Sequence, residues 1–308
     1  MKSKILWISA GGTFSCLKTE KGLSPASDKQ FMNSILSDNA DITDIADISP
    51  YPLMNIDSTE MSISDIKLIA SEINKQINNF DGILITHGTD TMAYTAALLS
   101  VMLENIPVPV VITGSQKPYF SDDTDAKQNF KDAFSAVCEK ELKCVSVVFD
   151  KSIFHGLDCY KASSIDRSAF SAYDKKTGFI EKGKVIISDK SRIEKGVYKF
   201  CPDICEKVTL IKLTPCFDEE IIDSYIEKGT RGFVIEGYGT GGIPERVIEK
   251  LRKAKEKNIP SMLITQCKSG GTDLEIYEVG NNALCAGIID GKKLGAEGAL
   301  AIMMKKIG

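Results

Sequence analysis

The run Ile83-Leu84-Ile85-Thr86-His87-Gly88-Thr89-Asp90-Thr91-Met92 decides how this chain is read. An apolar, strand-like segment breaks into a turn crowded with hydroxyls and one carboxylate, then enters Ala93-Tyr94-Thr95-Ala96-Ala97-Leu98-Leu99. In an open α/β sheet, ligands gather beyond the carboxyl ends of strands, where turns and helix N-termini present hydroxyls and free N–H groups. Thr89 and Asp90 therefore fall where chemistry is done.

The same grammar opens the chain, where Ile5-Leu6-Trp7-Ile8-Ser9 is followed by Ala10-Gly11-Gly12-Thr13-Phe14. The paired glycines permit a sharp turn or a close approach to a ligand and leave Thr13 at the strand's end. Two strand-end threonines point to one site built from two loops. Taken singly, each turn is equally an ordinary strand-to-helix connection that happens to contain threonine.

Outward from these turns, apolar runs at 5–9, 82–86, 109–113 and 145–149 alternate with amphipathic segments at 64–80, 93–103 and 125–139. Ser64 is a suitable N-cap, and Ile66, Ile69, Ile73 and Ile77 place one apolar face at helical spacing. Such alternation predicts a mainly parallel sheet flanked by helices. Residues 188–207 change character, with Asp189, Lys190, Arg192, Glu194, Lys195, Gly196 and Pro202 and few periodic apolar positions, as an interdomain connection does. Strands at 208–213, 232–236 and 262–265 then alternate with helices at 218–227 and 244–255. The expectation is an α/β protein with a larger N-terminal domain over 1–187, a linker over 188–207 and a smaller C-terminal α/β domain over 208–308.

Composition is compatible with this. The 308 residues suffice for one large or two medium domains, and 43% hydrophobic with 26% charged residues is ordinary for a soluble globular chain. A net charge of −4 offers no basic footprint for nucleic acid or an anionic membrane. The N-terminal apolar run is too short for a signal peptide, and no run approaches the roughly 20 residues a membrane helix needs. A cytoplasmic location is expected. Nine cysteines, an odd number in a long chain, are expected to be reduced. Cys201 and Cys205, with only His87 and His155 available as imidazole ligands, make no convincing zinc set. No metal or cofactor is implied.

Together these residues resemble the asparaginase family, the amidohydrolases that split asparagine through a threonine nucleophile. Ala10-Gly11-Gly12-Thr13-Phe14 corresponds to the family's first signature, and His87 to Met92 to its second, without change. Further similarity runs through Asp57-Ser58-Thr59-Glu60-Met61, Thr113-Gly114-Ser115-Gln116, Asp125-Ala126 with Asn129, Tyr160-Lys161 before Ala169-Phe170, and Glu236-Gly237-Tyr238-Gly239. The resemblance implies that Thr13 is the nucleophile that forms a β-aspartyl ester. It also implies that Thr89, Lys161 and Asp90 form a proton relay, and that Asp57, Ser58, Thr59, Thr89, Asp90 and Ser115 hold a small amino-acid substrate. Family members usually complete the pocket from a neighbouring subunit, so a homodimer or homotetramer is implied.

The residue types suit that chemistry. Amide hydrolysis needs a nucleophile, a proton acceptor, oxyanion donors and a proton for departing ammonia. An amino-acid substrate needs an acid for its ammonium and hydroxyl or N–H donors for its carboxylate. His87 is expected to serve the turn as a hydrogen-bonding residue rather than as acid or base.

Two departures stand out. Ala10 replaces the first signature threonine, and Leu23 occupies the position where many family members carry a lid tyrosine. Residues Lys18 to Gly22 read as a mobile lid, and Tyr119 and Tyr173 are candidate substitutes for the tyrosine. Three readings follow: an asparaginase, a related amidase such as a glutaminase or the ammonia-releasing subunit of a transfer-RNA amidotransferase, and a non-catalytic binder of asparagine or aspartate. The resemblance also raises allosteric control through the second domain near Cys267.

Overall fold

In the computed structural model of the chain, which describes residues 2–19, 22–26, 28–193 and 195–308, the opening apolar run is strand β1 (Ser3–Gly11). A hairpin of β2 (Cys16–Thr19) and β3 (Gly22–Pro25) follows. Next come α1 (Lys29–Asp38), α2 (Ala40–Ile45), β4 (Ala46–Ile56), α3 (Ile63–Gln76), β5 (Gly82–Thr86) and α4 (Met92–Met102). The two-residue strand β6 (Leu103–Glu104) leads to β7 (Val110–Thr113), α5 (Ala126–Val137) and β8 (Val145–Phe149).

Strands β4, β1, β5, β7 and β8 lie side by side in that order, all parallel. Strands covered on both faces read as continuous apolar runs rather than as alternations. Accordingly every residue of β5, β7 and β8 is buried. Beyond β8 the chain turns antiparallel through β9 (Ser152–His155), a small pair β10 (Cys159–Lys161) and β11 (Phe170–Ala172), then β12 (Gly178–Glu181) and β13 (Lys184–Ile187). Strands β9, β12 and β13 complete an eight-stranded, mainly parallel sheet.

Local chemistry sets the helix boundaries. Helix α3 starts before Ser64, because Ser62 is the cap: its hydroxyl accepts from the Asp65 N–H while the Asp65 carboxylate accepts from the Ser62 N–H. Helix α4 is buried on nearly all sides, so it carries no polar stripe. On one face of the sheet Trp7 packs on Phe130 at 4.8 Å between ring centroids, within a core that includes Phe14, Phe134 and Leu84.

The chain divides into two compact units between Pro202 and Asp203. The polar stretch 188–207 is folded over part of its length. Lys190–Arg192 form a 3-10 turn, Arg192 pairs with Asp158 at 2.8 Å, and a short strand β14 (Lys199–Phe200) pairs with β6. In the second unit, β15 (Val208–Lys212), β16 (Gly232–Gly237), β17 (Ser261–Thr265) and β18 (Ile289–Asp290) form a parallel four-stranded sheet. Helices α6 (Glu220–Glu227), α7 (Glu245–Glu256) and α8 (Glu278–Cys285) contribute to one core, and α9 (Ala296–Ile307) closes another around Val234, Met262 and Ile264. Among the described residues no helix is long and apolar enough to cross a membrane.

Candidate active site

Strand β1 lies between β4 and β5, so the chain steps to one side of β1 and then resumes on the other. The crevice beyond the carboxyl ends of β1 and β5 is thus the point where strand order reverses, the usual ligand position in an open α/β sheet. The turns after these two strands touch backbone to backbone. Gly12, at φ 78°, lies so close to the next turn that a Cβ there would stand 2.3 Å from the Gly88 Cα and N. Thr13 and Thr89 are the next residues on either side of that contact.

The turn bearing Thr13 is firmly seated. Gly12 N–H donates to the Ile56 carbonyl at 3.0 Å, and the Gly12 carbonyl accepts from Ser15 N–H at 3.1 Å. Phe14, one residue on, is buried with its ring 5.5 Å from that of Tyr119, and its carbonyl accepts from Tyr119 N–H at 3.1 Å. Thr13 itself is half-buried at the start of a 3-10 turn over Thr13–Ser15.

On the other turn, Lys161 Nζ lies 2.7 Å from Thr89 Oγ1 and 2.6 Å from Asp90 Oδ1. The Lys161 side chain, at the end of β10, is 19% exposed, and Thr89 is buried. Ser58, buried on the 3-10 turn after β4, locks the two segments. Its hydroxyl accepts from Asp90 N–H at 3.3 Å, and its carbonyl accepts from Thr91 Oγ1 at 2.7 Å. Asp57 and Thr59 flank it and are exposed, Asp57 accepting from Thr59 N–H and Oγ1, both at 3.0 Å. These groups converge near the N-terminus of α4, where free N–H groups favour an anion. Ser115 is buried on the turn after β7, its hydroxyl donating to the Lys117 carbonyl at 2.5 Å.

Residues 4–192 match the family described as Asparaginase, N-terminal, and residues 207–307 match the Glutaminase/Asparaginase C-terminal domain. The chain belongs to the asparaginase family. It is 34% identical to the L-asparaginase of Thermococcus kodakarensis over 99% of this chain and 93% of that one. A solved structure of that thermostable enzyme superposes with a TM-score of 0.91. L-asparaginase I from Vibrio cholerae superposes with a TM-score of 0.85 at 25% identity, covering 99% of this chain and 93% of that one. A subunit of the Glutamyl-tRNA(Gln) amidotransferase of Methanosarcina barkeri is 33% identical over 99% of this chain and 74% of its own length.

Set against the asparaginase family's signatures, the histidine and the tyrosines now find their places. His87 is fully buried. Its Nδ1 donates to the Gly88 carbonyl at 2.7 Å, and its Nε2 accepts from Thr95 Oγ1 at 3.0 Å. Burial lowers its pKa to about 4, so it is a neutral brace between turn and helix. Tyr119 is fully buried, with its hydroxyl turned to the end of α1: it accepts from Asn39 Nδ2 at 2.6 Å and donates to Asp38 at 3.1 Å. Those bonds commit its hydroxyl to Asn39 and Asp38. Tyr173 packs against Tyr160, the residue before Lys161, with ring centroids 4.5 Å apart and the rings tilted by 42°. The backbone of Leu23 pairs with Lys18 in the β2–β3 hairpin, while Glu20, Lys21 and the Leu23 side chain lie outside the described residues.

Gln116 adjoins the cluster of Thr89, Lys161 and Asp90, a place that the sequence alone does not assign to it. It accepts from Thr89 Oγ1 at 3.4 Å. Its only signal is its place in Thr113-Gly114-Ser115-Gln116.

Proposed function

We propose that this chain hydrolyses the side-chain amide of L-asparagine to L-aspartate and ammonia. The observation that carries the reading is the short contact of Lys161 Nζ with both Thr89 Oγ1 and Asp90 Oδ1 beside the turn of Thr13. Thr13 Oγ attacks the amide carbon. Its proton passes through the hydroxyl or a water at Thr89 to Lys161 and returns to the leaving nitrogen, which departs as ammonia. Water then opens the β-aspartyl ester by the same relay, and aspartate and free Thr13 result. Asp90 orients Lys161 and takes the substrate ammonium, while Asp57, Ser58, Thr59 and Ser115 bind its polar groups. A homodimer or homotetramer is part of this proposal.

A second reading, release of ammonia from glutamine for a partner protein, is favoured by the 33% identity to a transfer-RNA amidotransferase component. The substrates differ by one methylene, worth only about 1–3 kcal/mol in a pocket. Ammonia release measured separately with L-asparagine and L-glutamine separates the two. Turnover of asparagine well above glutamine supports the first reading, and the reverse order supports the second. Silence on both, with asparagine raising the melting temperature, overturns both in favour of a binding protein.

A further inference from the structure

The Gln116 side chain spans two parts of the site. Its Nε2 donates to the Asp166 carbonyl at 3.2 Å, on the loop that follows Lys161, and its Oε1 faces Thr89 Oγ1 at 3.4 Å. A backbone carbonyl only accepts, so the amide nitrogen must point to Asp166 and the amide oxygen to Thr89. Thr89 must then give its hydroxyl hydrogen to Gln116, and the lone pairs left on Thr89 Oγ1 accept from Lys161 Nζ at 2.7 Å. One carbonyl thus sets the direction of the whole chain of bonds, from Lys161 through Thr89 and Gln116 to Asp166.

The amide is itself held in place. The backbone N–H groups of Gln116 and Lys117 donate to Asp125 at 2.9 and 3.0 Å, and Asp125 accepts from Asn129 Nδ2 at 3.2 Å. Asn129 in turn donates to the Gly114 carbonyl at 3.0 Å. Asp125 and Asn129 are both buried. This explains chemically why an acid and an amide four residues apart stand at the start of α5.

We propose that Gln116 is a positioning residue that parks the Thr89 hydroxyl hydrogen and so keeps Thr89 Oγ1 accepting from Lys161 Nζ until substrate enters. The proposal rests on the reading of Lys161 as the base. For Lys161 to accept a proton by way of Thr89, the Thr89 O–H must leave Gln116 and turn to Nζ. Lys161 Nζ is paired with Asp90 on the facing turn, its own hairpin carries Tyr160 and Tyr173, α4 carries Tyr94, and the following loop carries Asp166 and Arg167. Arg167 is paired with Asp123. Neither β11 nor α4 carries a charged side chain.

The test is the pH profile of kcat/KM for amide hydrolysis, which reports groups of the free enzyme. Gln116→Met keeps the side chain's length and removes the acceptor. The Thr89 O–H is then free to turn to Nζ as a donor, and the acid limb moves to lower pH by on the order of half to one unit. Gln116→Glu offers a stronger, charged acceptor, and the limb moves to higher pH. A Lys161→Met control is run in the same assay. Opposite shifts in the two variants, with Lys161→Met inactive, support the proposal. Superimposed profiles with Lys161→Met inactive overturn the role of Gln116 and leave the relay standing. Turnover retained in Lys161→Met overturns the relay, and the proposal with it.

Discussion

A Cβ on Gly12 would stand 2.3 Å from the Gly88 Cα, so the turn that presents Thr13 and the turn that presents Thr89 are in backbone contact. The site is assembled by that contact. Each threonine is one residue away from it, and no side chain other than hydrogen fits between.

Gly12→Ala therefore forces the two turns apart and places a Cβ at φ 78°. The expected cost is on the order of 1–3 kcal/mol in urea unfolding, with a loss of amide hydrolysis larger than the loss of stability explains. A variant as stable and active as the native chain would show that the turns need no direct contact.

Tyr119 separates a structural from a catalytic role. Its hydroxyl joins Asn39 to Asp38, and burial raises its pKa to about 12. Tyr119→Phe should lower stability by about 1–2 kcal/mol and leave kcat within a few-fold of native. A kcat collapse at unchanged stability would make Tyr119 a proton donor after all.

The only two histidines are both buried, His87 fully and His155 nearly so, and burial brings each to a pKa of about 4 from 6.5, with Arg192 adding to the shift at His155. As pH falls, the unfolded chain takes up these protons before the folded one does. The histidine contribution is complete above pH 6.5 and is lost between there and pH 4, at up to about 1.4 kcal/mol per pH unit for each group. Urea midpoints measured across that window should fall, and the fall should be shallower in His155→Gln. A flat profile in the native protein would contradict it.

Much of this is legible in the sequence because the informative residues sit on buried parallel strands. There β5 and β8 are fully buried, mainly apolar runs, and both the fold class and the Thr89 turn can be read from them. Strand β4 is not legible. It carries Pro50 and Pro52, which cannot donate to a ladder, and it is tolerated because it is the outer strand beside β1. The antiparallel strands β9 to β13 are short, and the pattern that marks a covered parallel strand does not reach them. Helix α3 begins ahead of its expected start because Ser64 is as good a cap by type as Ser62, and only the reciprocal bond with Asp65 decides between them. Lys161 and Thr89 are 72 positions apart, and in the sequence only the family resemblance joins them.

The central claim is that Thr13 and the Thr89–Lys161 pair perform one hydrolysis. The most direct measurement is the rate of ammonia release from L-asparagine by the native chain, Thr13→Ala and Thr89→Val under identical conditions. A loss of more than about a hundredfold in each variant, with native-like melting, is the predicted result. Turnover kept by either variant would contradict it, by moving the nucleophile or the relay elsewhere in the chain.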